Sequence, residues 1–204
     1  MPAKRVKRRC PWGSFEKGDE LYIVYHDSEW GVPLFDDRKI FEYLTLEAFQ
    51  AGLSWRTVLY KRKNFEKAFA NFVPAKVAKF TARDVARLLK DAGIIRNRAK
   101  IEATIENAKQ FLKVQKEFGT FAKYQWSFVG GKPIQNKIKT LSEYPVTTSE
   151  AIAWAKDLKR RGFKFLGPTV LYAHMQAVGM ANDHTVNCFR HKEVARMGQR
   201  ASGM

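Results

Sequence analysis

Two cysteines and two histidines lie toward the two ends of the chain, as Cys10 and His26 near the start and His184 and Cys188 near the end. Two thiolates and two imidazoles make a closed tetrahedral donor set for zinc, with no open position, so such an ion would be structural rather than catalytic. His184 and Cys188 are four apart, and the spacing predicts both on one face of a helical turn. The other reading of the cysteines is two buried free thiols. A metal here would pin the N-terminal segment to the C-terminal one and orient Tyr22, Tyr25 and Trp30 in between.

A second group that could do chemistry is Glu47, in the stretch Phe41-Glu-Tyr-Leu-Thr-Leu-Glu-Ala-Phe-Gln-Ala-Gly-Leu-Ser-Trp55. At 100° per residue, Leu44, Glu47, Ala48, Ala51 and Trp55 share one helical stripe, so a carboxylate stands where the pattern asks for hydrocarbon. Buried alone it would cost several kcal/mol. It is therefore either paired with a nearby arginine or set in the lining of a cavity that a ligand fills.

A third group is the turn Asp91-Ala-Gly93-Ile-Ile-Arg96-Asn-Arg98-Ala-Lys100. A tight glycine-containing connection between helices can hold a phosphate on its backbone N–H groups, with Arg96, Arg98 and Lys100 beside it. The same pattern also suits a plain connection with a solvated basic face, and Ile95 stands where a helix-hairpin-helix motif usually has a second glycine.

The elements that must position these groups read as helices. Asp36 or Asp37 caps the Glu47 helix, which runs to about residue 51. Trp55 to Phe72 repeats apolar residues as one amphipathic helix, closed by Pro74. Thr81 and Asp84 form a capping box for a short helix stopped at Gly93, and a long helix follows from Arg96 to Phe118. Residues 126–144 read as loop. Thr147 to Glu150 reads as a second capping box, for a helix that ends at Gly162, and Pro168 suits the first turn of the next. The fold class is all-α, a compact array of helices with a helix-hairpin-helix motif and with termini joined through the metal site. The expected organisation is a basic tail over 1–9, a single domain over 10–190, and a basic tail over 191–204.

The composition narrows the partners. Of 204 residues, 37 are Lys or Arg against 20 Asp or Glu, a formal charge of +17, which attracts polyanions and argues against a purely structural role. Fifteen Phe, seven Tyr and five Trp supply flat surfaces on which an unstacked base can rest. No apolar run is long enough for a membrane span, and two cysteines make no disulfide framework, so a reducing cytoplasm is expected.

Ordered blocks of residues also resemble a known family. Tyr22-Ile-Val-Tyr25-His26-Asp-Ser-Glu-Trp30-Gly-Val-Pro, Leu46-Glu47-Ala-Phe-Gln50-Ala51-Gly52-Leu53-Ser54-Trp55, Asp91 to Arg96, Trp126-Ser-Phe128, Arg161-Gly-Phe-Lys-Phe-Leu-Gly167 and Asn182-Asp-His184 with Cys188 resemble bacterial DNA-3-methyladenine glycosylase I, over roughly residues 10–189. The segment between Cys10 and Tyr22 is a few residues longer than that pattern. The resemblance implies a monofunctional repair glycosylase of the helix-hairpin-helix superfamily, without a lyase step. It implies a structural zinc on Cys10, His26, His184 and Cys188. It places a base pocket at Tyr22, Tyr25, Glu47 and Trp55 with Trp30 nearby, and gives Glu47 as the candidate for catalysis. Leu53 is then a candidate wedge for the gap left by a flipped base, or else a core leucine. Gly93, Arg96, Arg98 and Lys100 are expected at phosphates. The expected partner is double-stranded DNA with alkylated bases, met by a monomer with no obligate protein partner, in a bacterial cytoplasm at the nucleoid. Two alternatives are a zinc-stapled DNA-binding protein without activity and a glycosylase for another alkylated purine.

Overall fold

The helix that carries Glu47, α2 (Asp37–Gln50), begins where the Asp36 carboxylate accepts a hydrogen bond from the Lys39 N–H at 2.8 Å. Every residue from Ile40 to Phe49 in it is buried. A computed structural model describes residues 7–13, 15 and 18–201 of the chain, without the side chains of 200 and 201. Around α2 pack α3 (Trp55–Ala68), α6 (Arg98–Phe118), α7 (Phe121–Ser127) and α9 (Pro168–Ala177). Asp37 joins two of them to α2: its carboxylate accepts from the Gln115 side-chain amide of α6 at 2.6 Å, and from the N–H groups of Phe121 and Ala122 at 2.8 and 2.9 Å, capping α7 from 84 residues away in sequence. Phenylalanines fill the gaps. Phe41 meets Phe111 at 5.3 Å, Phe111 stacks on Phe121 at 4.0 Å, and Phe49 meets Phe65 at 4.8 Å. Each buried ring of this kind contributes about 2–3 kcal/mol, so the α2 backbone is held rigidly where it approaches the site.

The remaining elements are α1 (Glu20–Ser28), α4 (Pro74–Val77), α5 (Ala82–Lys90), α8 (Ser149–Arg160) and α10 (Phe189–Ala201). A minimal parallel pair joins β1 (Ile134–Gln135) to β2 (Ala181–Asn182), with Ile134 opposite Ala181. The all-α class holds, with that two-residue ladder as a clasp. Among the described residues, no helix is long and apolar enough to cross a membrane.

Four expectations change. The helix from Trp55 stops at Ala68 and not at Phe72, because Ala70, Asn71 and Phe72 turn into left-handed conformation with φ of 50°, 56° and 53°. Phe69 and Phe72 stay fully buried through the turn, so the apolar spacing could not reveal the break. Pro74 opens α4 rather than closing α3, as its missing N–H and fixed φ allow. The cap of α8 is Thr148, which accepts from the Ala151 N–H at 3.3 Å, so the expected box at Thr147 is displaced by one residue. Finally, residues 189–201 form α10, with Val194 buried and Asn136 O within 3.1 Å of His191 Nε2, where a basic tail was expected from 191. The start of the other tail, residues 1–6, lies outside the described residues; Arg9 is tied down by Asp27 at 2.7 Å.

Candidate active site and metal centre

Cys10, His26, His184 and Cys188 converge in the core, with all four ligand atoms within 4.8 Å of one another. Cys10 Sγ is 3.4 Å from His184 Nδ1, and Cys188 Sγ is 3.5 Å from that nitrogen and 3.6 Å from His26 Nε2. Zinc bonds of standard length at tetrahedral angles put sulfur and nitrogen about 3.6 Å apart. The far nitrogen of each imidazole has its own partner. His26 Nδ1 meets Asp27 Oδ1 at 2.8 Å, and Arg9 grips the same carboxylate through Nε and Nη2. His184 Nε2 meets the Trp30 carbonyl at 3.0 Å. Those oxygens can only accept, so each far nitrogen carries the proton and each near nitrogen turns a lone pair toward the sulfurs. Hydrogen bonds from Cys188 and His184 push the Cys10 thiol well below its ordinary value. The donor set, spacing and outer partners fit a structural zinc ion held by these four residues.

The local backbone differs from the expected helical turn. His184 and Cys188 flank a tight turn before α10, closed by the Cys188 N–H on the Thr185 carbonyl at 2.8 Å. Gly31 lets the chain pass this site: its φ is +81°, and a Cβ there would lie 3.1 Å from the His184 ring.

Trp30, held through its carbonyl by His184, lines a cavity of about 380 Å³. Tyr22, Tyr25, Glu47 and Trp55 line it as well, so all five residues expected at a base pocket come together. The Tyr25 and Trp55 rings lie 5.2 Å apart, and Tyr43 stacks behind Trp55 at 6.5 Å. Trp12, which the sequence reading passed over, packs on Trp30 at 4.8 Å and Tyr22 at 5.6 Å. Also missed were Gln50, Leu141, Tyr144, Pro145, Ala173 and Gln176. The position of Trp12, two residues after a metal ligand, was the one usable signal.

Glu47 is 4% exposed and has no hydrogen bond or ion pair among the described residues. The arginine that pairing would require is engaged elsewhere: Arg62 donates to Glu42 and Glu29 at 2.6 Å each, over the face of Tyr43. Burial pushes the Glu47 carboxyl up to about 8. The indole N–H groups of Trp12 and Trp55 are likewise buried without an acceptor among the described residues. A cavity lined by stacked rings, one unpaired carboxyl and orphan N–H donors is built for a flat polar ligand.

An acid whose folded-state pKa lies above its unfolded value favours folding below the unfolded value and loses that contribution as pH climbs through the folded one. For Glu47 the window runs from 4.5 to about 8, and the lost stability is roughly 5 kcal/mol at most. Urea unfolding of the wild type should therefore weaken across that window relative to Glu47→Gln. Parallel pH profiles would show that the carboxyl is solvated.

The sequence profile of the methyladenine glycosylase family matches residues 15–191. The chain is a member of that family. It is 51% identical over 180 residues to DNA-3-methyladenine glycosylase 1 of Escherichia coli strain K12, covering 88% of this chain and 95% of that one. A crystal structure of 3-methyladenine DNA glycosylase I superposes with a TM-score of 0.86 at 48% identity, covering 90% of this chain and 100% of the other. The Staphylococcus aureus enzyme, whose structure addresses recognition of 3-methyladenine, superposes at 0.84 with 39% identity, over 89% of this chain and 95% of its own.

In this member of the glycosylase family, the residues expected at DNA divide. Leu53 is 44% exposed, in the turn between the cavity residues Gln50 and Trp55, so it is not a core leucine. Arg96 is exposed, and Arg98 is exposed with Glu102 beside it at 3.3 Å. The Gly93 N–H, expected to be open for a phosphate, is already bonded to Asp91 Oδ1 at 2.7 Å. Lys100 is a correction. It is 7% exposed, and its ammonium donates to the Phe49 and Ala51 carbonyls at 2.9 and 2.7 Å. These are orphan groups at the end of α2, so Lys100 caps that helix and sets the turn that carries Leu53. Lys100→Met should lower stability by about 1–3 kcal/mol, read as a urea midpoint; an unchanged midpoint would deny the cap its role.

A second hairpin was missed, although its residues were quoted. Between α8 and α9, Gly162 turns at φ +90°, Phe165 at φ +58°, and Pro168 starts α9 behind Gly167. Buried Asn107 clamps the hairpin through both polar groups of the Lys164 backbone, at 2.8 and 2.9 Å. Residues Ala173 and Gln176 of α9 line the cavity, so this hairpin is coupled to it by one helix.

Proposed function

We propose that the chain removes 3-methyladenine from alkylated double-stranded DNA by hydrolysing the bond between the base and its sugar, after the nucleotide has flipped out of the helix. The observation that carries this is the unpaired, buried Glu47 carboxyl in an aromatic cavity. In DNA, adenine methylated at N3 is a cation, so its glycosidic bond is already weakened. When C1′–N9 breaks, both electrons go to the base, which leaves neutral. Water then adds to the sugar cation and releases a proton. No strong acid is needed, and most of the demand falls on recognition.

Trp55, Tyr25 and Tyr22 offer ring faces to that cation, an attraction of about 1–2 kcal/mol when desolvated. Glu47 is largely protonated in the free protein at neutral pH, and an arriving cation draws it into the carboxylate form that accepts from the exocyclic amine. The indole N–H of Trp55, buried without an acceptor among the described residues, donates to a ring nitrogen in this reading. Among the described residues no lysine lines the cavity, in keeping with hydrolysis without a lyase step, since that step needs an amine nucleophile. Leu53 fills the vacated stack, and Arg96, Arg98 and the Lys164 hairpin meet phosphates. We assign the zinc a purely structural role and the protein a monomeric state in a bacterial cytoplasm. Chromatography of bases released from methylated duplex DNA tests the reading: free 3-methyladenine is expected. Binding without base release would leave only a DNA-binding protein, and release of a different purine alone would change the lesion.

A further inference from the structure

One wall of the cavity is a turn from Leu141 to Pro145 whose role the known chemistry leaves open. Leu141 lines the cavity and yet is 57% exposed, which places its side chain at the opening. The turn is stiffened from within: the Glu143 carboxylate accepts from the Lys139 N–H at 2.9 Å and the Thr140 hydroxyl at 3.1 Å. It is also anchored from below. Ile138 is buried, and its carbonyl accepts from the Val186 N–H at 2.8 Å, between two metal ligands. Lys137 and Lys139 are exposed on either side of Ile138.

An aliphatic side chain held out at a cavity mouth adds little to folding, but a rigid turn is a good way to place one. When a nucleotide flips, its base fills the cavity while its deoxyribose and adjacent phosphates stay at the opening. We infer that Leu141 packs against the deoxyribose of the flipped nucleotide, with Lys137 and Lys139 at the flanking phosphates. Leu141 is then a second apolar DNA contact besides Leu53, and it acts on the sugar rather than on the base. This rests on the base-excision reading above, and its test includes a readout that needs no excision.

Leu141→Ala and Leu141→Asn are compared with wild type in three measurements: excision from methylated duplex, affinity for a duplex with an abasic-site analogue, and inhibition by free 3-methyladenine. Expected are losses of about 10-fold in excision kcat/KM and in duplex affinity, with free-base inhibition kept within about twofold. Raising salt should weaken duplex binding less in Lys137→Ala/Lys139→Ala than in wild type. Unchanged duplex affinity overturns the inference, whether or not the wild type excises. A parallel loss of free-base inhibition also overturns it, because Leu141 would then contact the base itself rather than the sugar. Failure of the wild type to release any base would instead count against the function itself.

Discussion

Glu47→Gln is expected to lower kcat/KM for excision of 3-methyladenine by on the order of 100-fold, with most of the loss in kcat. The substitution keeps the side-chain volume and one accepting oxygen but removes the ability to become an anion. Glu47 has no partner among the described residues, so nothing else in the fold is broken by the change. The variant should be at least as stable as wild type, and more so at alkaline pH, because the burial that pushes the carboxyl to about 8 no longer opposes folding. Loss of activity with gain of stability is the signature of a group kept for its ligand. Full activity in a folded Glu47→Gln protein would remove the carboxylate from the mechanism.

The second large effect is expected from the metal. Elemental analysis should give about one zinc per chain. Stripping it with a chelator, or replacing Cys188 by Ser, should lower stability by about 4 kcal/mol and the melting temperature by roughly 10 °C. The reason is topological. His184 and Cys188 hold the start of α10, Cys10 and His26 hold the N-terminal segment and α1, and no disulfide replaces the joint. The loss should reach the base pocket too, since His184 fixes Trp30 through its carbonyl and Trp12 follows Cys10. Free 3-methyladenine should therefore bind more weakly to the stripped protein. A zinc-free preparation with unchanged melting and affinity would refute the joint.

What could be read in the sequence, and what could not, follows from where the signal lies. Glu47 was legible because a carboxyl interrupts an otherwise apolar stripe, and its helix because Asp36 supplies the cap. The metal set was legible by residue type, although the i, i+4 pair proved to be presented by a turn, which the same spacing permits. Lys100 misled because a lysine near a helix start resembles a solvated cation; its real partners are carbonyls about 50 residues away. Tyr144 and Gln176 reach the cavity from a loop and from the far helix α9, and no local pattern marks residues whose cavity partners on the N-terminal side, Trp12 to Trp55, lie 89 or more positions away. The hairpin after α8 escaped notice because one of its left-handed positions is Phe165 rather than glycine.

The account rests on a cavity that selects a methylated purine through its rings and its unpaired carboxyl. Titration of the intrinsic tryptophan fluorescence with free 3-methyladenine and with adenine tests this most directly, since Trp12, Trp30 and Trp55 all line the cavity. The expected result is quenching by 3-methyladenine with an affinity about 10-fold or more above that for adenine, a margin that shrinks in Glu47→Gln. Equal affinities for the two bases, or no response to either, would contradict it.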